Sequence, residues 1–168
     1  MKEIFKKYRE IILYLVFGVL TTAIAFVTYE AVLMLAEHTF NVPMGNKTSM
    51  AYTISYVLAQ ISQWVIAVLF AFYTNRRWVF TAADHSKGSF GKQLALFAGS
   101  RVATFFLDLF ATYGFIHLLN LWINAEDPPT FLGIALNAEL WAKIIVSVLV
   151  IVANYVISKL LVFRNKKN

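Results

Sequence analysis

The stretch FAFYTNRRWVF, residues 70–80, decides how this chain is read. An apolar run of about twenty residues, enough for one helical crossing of a bilayer, ends at Asn75-Arg76-Arg77. Trp78-Val79-Phe80 then follow as though the chain were returning to oil. The stretch ANYVISKLLVF, residues 153–163, repeats the arrangement at an offset of 83, with Lys159 where Arg76 stood.

The composition says what medium these stretches belong to. The 168 residues are 60% hydrophobic and 14% charged, more apolar surface than a soluble domain of this size can hide. Four runs, roughly 11–36, 52–74, 94–123 and 138–162, each reach the ~20 residues a helix needs to cross ~30 Å of hydrocarbon. The fold expected is therefore an all-α polytopic membrane protein of four transmembrane helices. The first run is too long for a secretory signal and is expected to be retained. Asp127-Pro128-Pro129 marks a loop.

Orientation follows from the cations, which resist translocation. Lys2, Lys6, Lys7 and Arg9 precede the first run. Arg76, Arg77, Lys87 and Lys92 lie between the second and third, and Lys159, Arg164, Lys166 and Lys167 close the chain. The other two connections hold only Lys47. Both termini and the 75–93 loop are thus expected on the cytoplasmic side of the cytoplasmic membrane. The net charge of +6 and pI near 9.6 then require no nucleic acid, because basic fringes facing anionic lipid headgroups give the same totals.

The offset of 83 extends well beyond the opening motif. It places Arg9 on Lys92, Tyr14 on Phe97, Thr21 on Thr104, Ala59 on Ala142, Arg76 on Lys159, and Val79-Phe80 on Val162-Phe163. One membrane domain over 1–168 is expected, built of two two-helix repeats, about 8–80 and 91–163. Two crossings per unit bring each repeat in from the same side, so the repeats are parallel. The basic residues would mark where each second helix leaves the inner leaflet. Trp78, Phe80, Tyr155 and Phe163 would anchor that interface.

A second and a fourth helix that each close on an aromatic residue, a basic residue and a final Val-Phe resemble the GtrA-like (GtcA-like) family of small four-helix membrane proteins. The resemblance rests on Phe72 through Phe80, on Asn154-Tyr155 through Phe163, and on Gly18 with Thr21 and Thr22. The family's Asn before the aromatic is present as Asn154, whereas the first repeat has Ala71. The resemblance implies movement of undecaprenyl-phosphate-linked monosaccharides to the outer face, where they decorate O-antigen, teichoic acid or other cell-wall polymers.

Ionisable side chains at membrane depth are costly and mark candidate sites. Arg101 and Asp108 lie seven residues apart on the third run, on one face with Thr104 between them. Their separation of ~10 Å along the axis gives each a need for another partner. Arg101 offers planar donors to a phosphate. The fourth run carries a polar stripe of Glu139, Lys143, Ser147, Asn154 and Ser158, with Glu139 and Lys143 spaced as a helical ion pair. Gln60 and Gln63 on the second run are expected to face this stripe. Gly18, Thr21, Thr22, Ala25 and Thr28 form a small-residue stripe suited to close helix packing.

Translocation of a polyprenyl-phosphate-linked sugar would use Arg76, Arg77, Lys159 and Arg101 for the phosphate. Lys143, Asn154, Gln60, Gln63 and Asp108 would serve the sugar's polar path. A proton-coupled exporter like the small multidrug resistance proteins would use Glu30, the only carboxylate of the first run, although it lies far toward the outer side. A third reading is a non-transporting partner of a membrane glycosyltransferase. Besides the lipid-linked sugar, membrane lipids and such an enzyme are the partners expected, and four helices make a thin enclosure for a sugar, consistent with a homo-oligomer. No nucleophile and base, phosphate-cradling loop, cofactor motif or metal spacing occurs, and cysteine is absent. The chain is thus not expected to be an enzyme. Asn46-Lys47-Thr48 is formally a glycosylation acceptor.

Overall fold

A computed structural model describes residues 2–42, 47–123, 130–131, 134–135 and 137–164; Asn46 and the Asp127-Pro128-Pro129 loop lie outside them. Four long helices dominate: α1 (Lys2–Thr39), α2 (Met50–Thr74), α3 (Lys87–Leu119) and α4 (Ala138–Ile157). All four are long and apolar enough to cross a membrane. A two-residue antiparallel pair, β1 (Thr130–Phe131) with β2 (Ile134–Ala135), precedes α4. The third helix ends at Leu119 rather than 123, and residues 120–123 fold back in turns whose N–H groups bond the carbonyls of Ile116, Leu118 and Leu119.

The chain divides into two compact units, Met1–Ala83 and Asp84–Asn168. In the first, α1 packs on α2; in the second, α3 packs on α4. Helix ends are closed by local chemistry. Asn41, with φ of 50°, adopts the left-handed conformation that Asn tolerates, and the Val42 N–H reaches back to the Glu37 carbonyl at 2.9 Å to close α1. The Ser49 hydroxyl accepts from the Tyr52 N–H, and the Asn137 carboxamide oxygen from the Leu140 N–H, capping α2 and α4.

The opening motif proves to be a change of helical winding. α2 runs into a five-residue π turn, Asn75–Val79, and α4 into another, Ser158–Val162. The two turns are 83 residues apart at both ends. Each closes with an N–H to carbonyl bond of 2.8 Å across five residues, Phe80 to Asn75 and Phe163 to Ser158. The wider turn swings Val-Phe back onto the first helix of its own unit. Phe80 therefore packs its ring 6.4 Å from Tyr14, and Phe163 5.9 Å from Phe97. This corrects the expectation that Phe80 and Phe163 anchor the membrane interface: both are buried within their units, as are Val79 and Val162. Trp78 is half exposed and stacks on Phe17 at 5.4 Å.

At Gly18 and Thr22 the small-residue stripe of α1 does not pack closely on α2. A Cβ added at Gly18 would meet nothing within 4 Å, and Thr22 is exposed, its hydroxyl returned to the Gly18 carbonyl. Large aromatics fill the space between α1 and α2 instead, with Phe17 on Trp78 and Tyr29 edge-on to Tyr56 at 6.2 Å. Small residues do serve on the second helices, where Ala59 and Ala142 are completely buried.

Candidate functional site

Polar groups gather in the second unit, on the faces that α3 and α4 turn to each other. Residues 97, 101, 104 and 108 recur at three- and four-residue spacing along α3, which brings them to one side. Phe97, fully buried, carries the Arg101 guanidinium 4.5 Å above its ring centroid. One turn on, the Thr104 hydroxyl lies 3.0 Å from the Asn154 carboxamide oxygen of α4, with the Ser100 and Arg101 carbonyls at 3.0 and 3.2 Å as competing acceptors. A further turn on, the Lys143 ammonium donates to both oxygens of Asp108, at 2.7 and 3.0 Å. Thr104–Asn154 and Asp108–Lys143 thus form a ladder of two polar contacts between α3 and α4, with the Arg101 guanidinium over Phe97 on the same side of α3.

The ion pair corrects one expectation. Lys143 does not pair along its own helix with Glu139; it crosses to Asp108. Glu139 sits in the first turn of α4, where the helix dipole already favours a carboxylate. Asp108 lies within the α3 span with no such help, so it competes better for the cation. Asp108, which the spacing leaves in need of a partner other than Arg101, finds it in Lys143. Pairing of Asn154 with Thr104 makes Thr104 a member of the site; its place between Arg101 and Asp108 on α3 was the available signal.

The remaining candidates lie on α1, α2 and the two π turns. Gln60 donates to the Tyr56 hydroxyl at 2.7 Å and accepts from the Gln63 carboxamide, so these two glutamines satisfy each other and a tyrosine within α2. Arg76 is half buried and Arg77 exposed on the first π turn. Lys159 is exposed on the second π turn, its ammonium 3.3 Å from the Tyr155 hydroxyl. Glu30 is exposed on α1. Sequence reasoning did not anticipate that Arg9 would donate to the Trp78 carbonyl at 3.2 Å, tying the start of α1 to the first π turn. Nor did it anticipate that the first residue of each π turn, Asn75 and Ser158, would bury a side-chain oxygen without a hydrogen-bond partner among the described residues.

The shared pattern of the two units has a counterpart among known proteins. Residues 13–163 match the family described as GtrA/DPMS, transmembrane domain. The chain belongs to this family. The match runs from the residue before Tyr14 to Phe163, and so takes in both aromatic pairs and both π turns. Among relatives, the cell wall teichoic acid glycosylation protein GtcA of Listeria monocytogenes is 31% identical over 157 residues, covering 94% of this chain and 86% of its own length. The protein of the same name in Listeria innocua is 29% identical over the same shares. The membrane protein YwcD of Bacillus subtilis is 32% identical over 114 residues, 68% of this chain and 77% of YwcD. No solved structure matches. As a GtrA/DPMS-type transmembrane domain with four spanning helices, the protein is a multi-pass membrane protein.

Proposed function

We propose that this protein moves a polyprenyl-phosphate-linked monosaccharide across the bacterial cytoplasmic membrane to supply glycosylation of a cell-wall polymer, teichoic acid being the first candidate. The observation that carries the reading is the polar ladder of α3 and α4. A cation, a hydroxyl, a carboxamide and an ion pair are retained where hydrocarbon penalises each of them. A passenger with a charged phosphate, a hydroxylated sugar and an apolar tail gives those groups a task. The role in teichoic acid glycosylation carried in the names of the GtcA relatives supports the same substrate class.

The distribution of lysines and arginines supports cytoplasmic termini and a cytoplasmic loop between α2 and α3. With that orientation Arg76, Arg77 and Lys159 stand at the inner boundary, where a phosphate headgroup is first met. Arg101 lies farther in, where its planar donors fit a phosphate, and Asn154 serves sugar hydroxyls. The recurrence of sequence and π turn at an offset of 83 supports an internal duplication with two parallel units in one membrane domain. Downhill exchange of loaded for spent carrier would suffice as the energy source.

The test uses purified protein in liposomes loaded on one side with a labelled polyprenyl-phosphate sugar. Wild type is expected to move label to the other side, whereas a partner that only orients a glycosyltransferase leaves it in place. In cells, Arg101→Ala is expected to abolish sugar decoration of the surface at unchanged protein abundance. Normal decoration removes Arg101 from the mechanism.

A further inference from the structure

We propose that Lys143 is an anion-exchange site: Asp108 holds its ammonium at rest, and the phosphate of a polyprenyl-phosphate lipid displaces that carboxylate. The proposal rests on the translocation reading for the identity of the anion, and it changes the part Asp108 plays. Asp108 becomes the passenger's competitor, not one of its ligands.

Four features of the pair lead there. First, it lies inside spans: Lys143 is five residues from the Ala138 end of α4 and Asp108 eleven from the Leu119 end of α3, about 8 and 16 Å in by helical rise. A lysine so near a helix end can reach the interface by extending along the helix, yet its ammonium is turned across to α3. Second, the pair is not sealed. The Lys143 side chain is 56% exposed and that of Asp108 30%, so another anion can reach Nζ without α3 and α4 parting. Third, a lysine suits exchange. Its ammonium is a compact charge with three rotatable donors, which passes from one acceptor to the next, where the fixed fork of an arginine would lock onto a carboxylate.

The fourth feature is the comparison within the chain. The positions 83 residues earlier are Ala25 and Gln60, on the corresponding helices α1 and α2. The first unit builds the same kind of hairpin, ending in the same π turn, with no ion pair between those positions. Packing of such a unit therefore does not require Asp108 and Lys143. Their pairing does keep a cation neutralised in oil until a stronger or better-placed anion arrives. The displaced carboxylate stays two turns from the Arg101 guanidinium, on the same side of α3.

Binding of undecaprenyl phosphate to purified protein in nanodiscs of neutral lipid tests this directly, with phosphatidylglycerol as the competing anionic lipid. Exchange predicts changes of opposite sign. Asp108→Asn removes the competitor and tightens undecaprenyl phosphate binding about tenfold, and Lys143→Gln weakens it about tenfold, the scale of one charge-assisted hydrogen bond. In the Asp108→Asn, Lys143→Gln double variant the gain from Asp108→Asn must vanish, because it acts through Lys143. The double variant buries no unpaired charge, so it serves if either single variant fails to fold; its binding must then fall about tenfold, as for Lys143→Gln alone. A purely structural pair predicts instead that both single changes weaken binding together, and that result overturns the proposal, as does no change in either. An equal response of phosphatidylglycerol assigns the site to lipid anions generally and overturns the carrier-phosphate assignment. Wild-type protein that binds the carrier in this pattern yet moves no sugar in liposomes refutes translocation and leaves the exchange site standing.

Discussion

Asn154→Ala separates what the ladder does for stability from what it does for a passenger. The Thr104 hydroxyl has one proton and three acceptors within reach: Asn154 at 3.0 Å and the carbonyls of Ser100 and Arg101 at 3.0 and 3.2 Å. When the carboxamide is removed, the proton turns back to Ser100 and nothing is left unsatisfied. Side-chain hydrogen bonds between membrane helices average about 0.6 kcal/mol and reach about 1.7, and the fallback bond keeps this one at the low end. Loss of a polar amide from an apolar span works in the opposite direction. The net change in stability is therefore expected within about 1 kcal/mol. The first unit supports the estimate, since its equivalent position is Ala71 and Thr21 donates to the Phe17 carbonyl at 2.7 Å. Function is expected to respond differently. The Asn154 carboxamide nitrogen has no bond to a described residue, so both its donors remain for sugar hydroxyls. Forfeiting one such bond, at about 0.5–1.5 kcal/mol, lowers transport roughly two- to tenfold. Thermal unfolding in detergent and initial rates in liposomes read the two quantities on one preparation. A stability loss above about 2 kcal/mol, beyond the range for such bonds, or transport unchanged at equal protein, would refute this reasoning.

Two further outcomes follow from burial. Ala142 is completely buried on α4, so Ala142→Leu forces extra volume into the α3–α4 contact and is expected to cost about 1–3 kcal/mol of stability; Val148→Leu, at an exposed position of the same helix, should shift the melting midpoint little. Glu30 is exposed on α1, so Glu30→Gln is expected to leave both sugar transport and resistance to cationic dyes unchanged; loss of dye resistance would favour the proton-coupled exporter.

The sequence by itself determined the number of spans, the family and the place of the repeated motif. Each of these is local or periodic: hydropathy over twenty residues sets a span, and a fixed offset sets the repeat. It did not reveal that the motif is a π turn, because winding depends on where Val79-Phe80 and Val162-Phe163 find a surface to pack against, and those surfaces, Tyr14 and Phe97, lie more than sixty residues away in the chain. For the same reason Phe80 and Phe163 read as interface anchors although they are buried. Lys143 had two carboxylates to choose between, Glu139 four residues away and Asp108 thirty-five residues away. The spacing rule favoured the near one. Only the register of α4 against α3 decided for the far one, because inside a membrane a cation goes to the carboxylate that has the least other support.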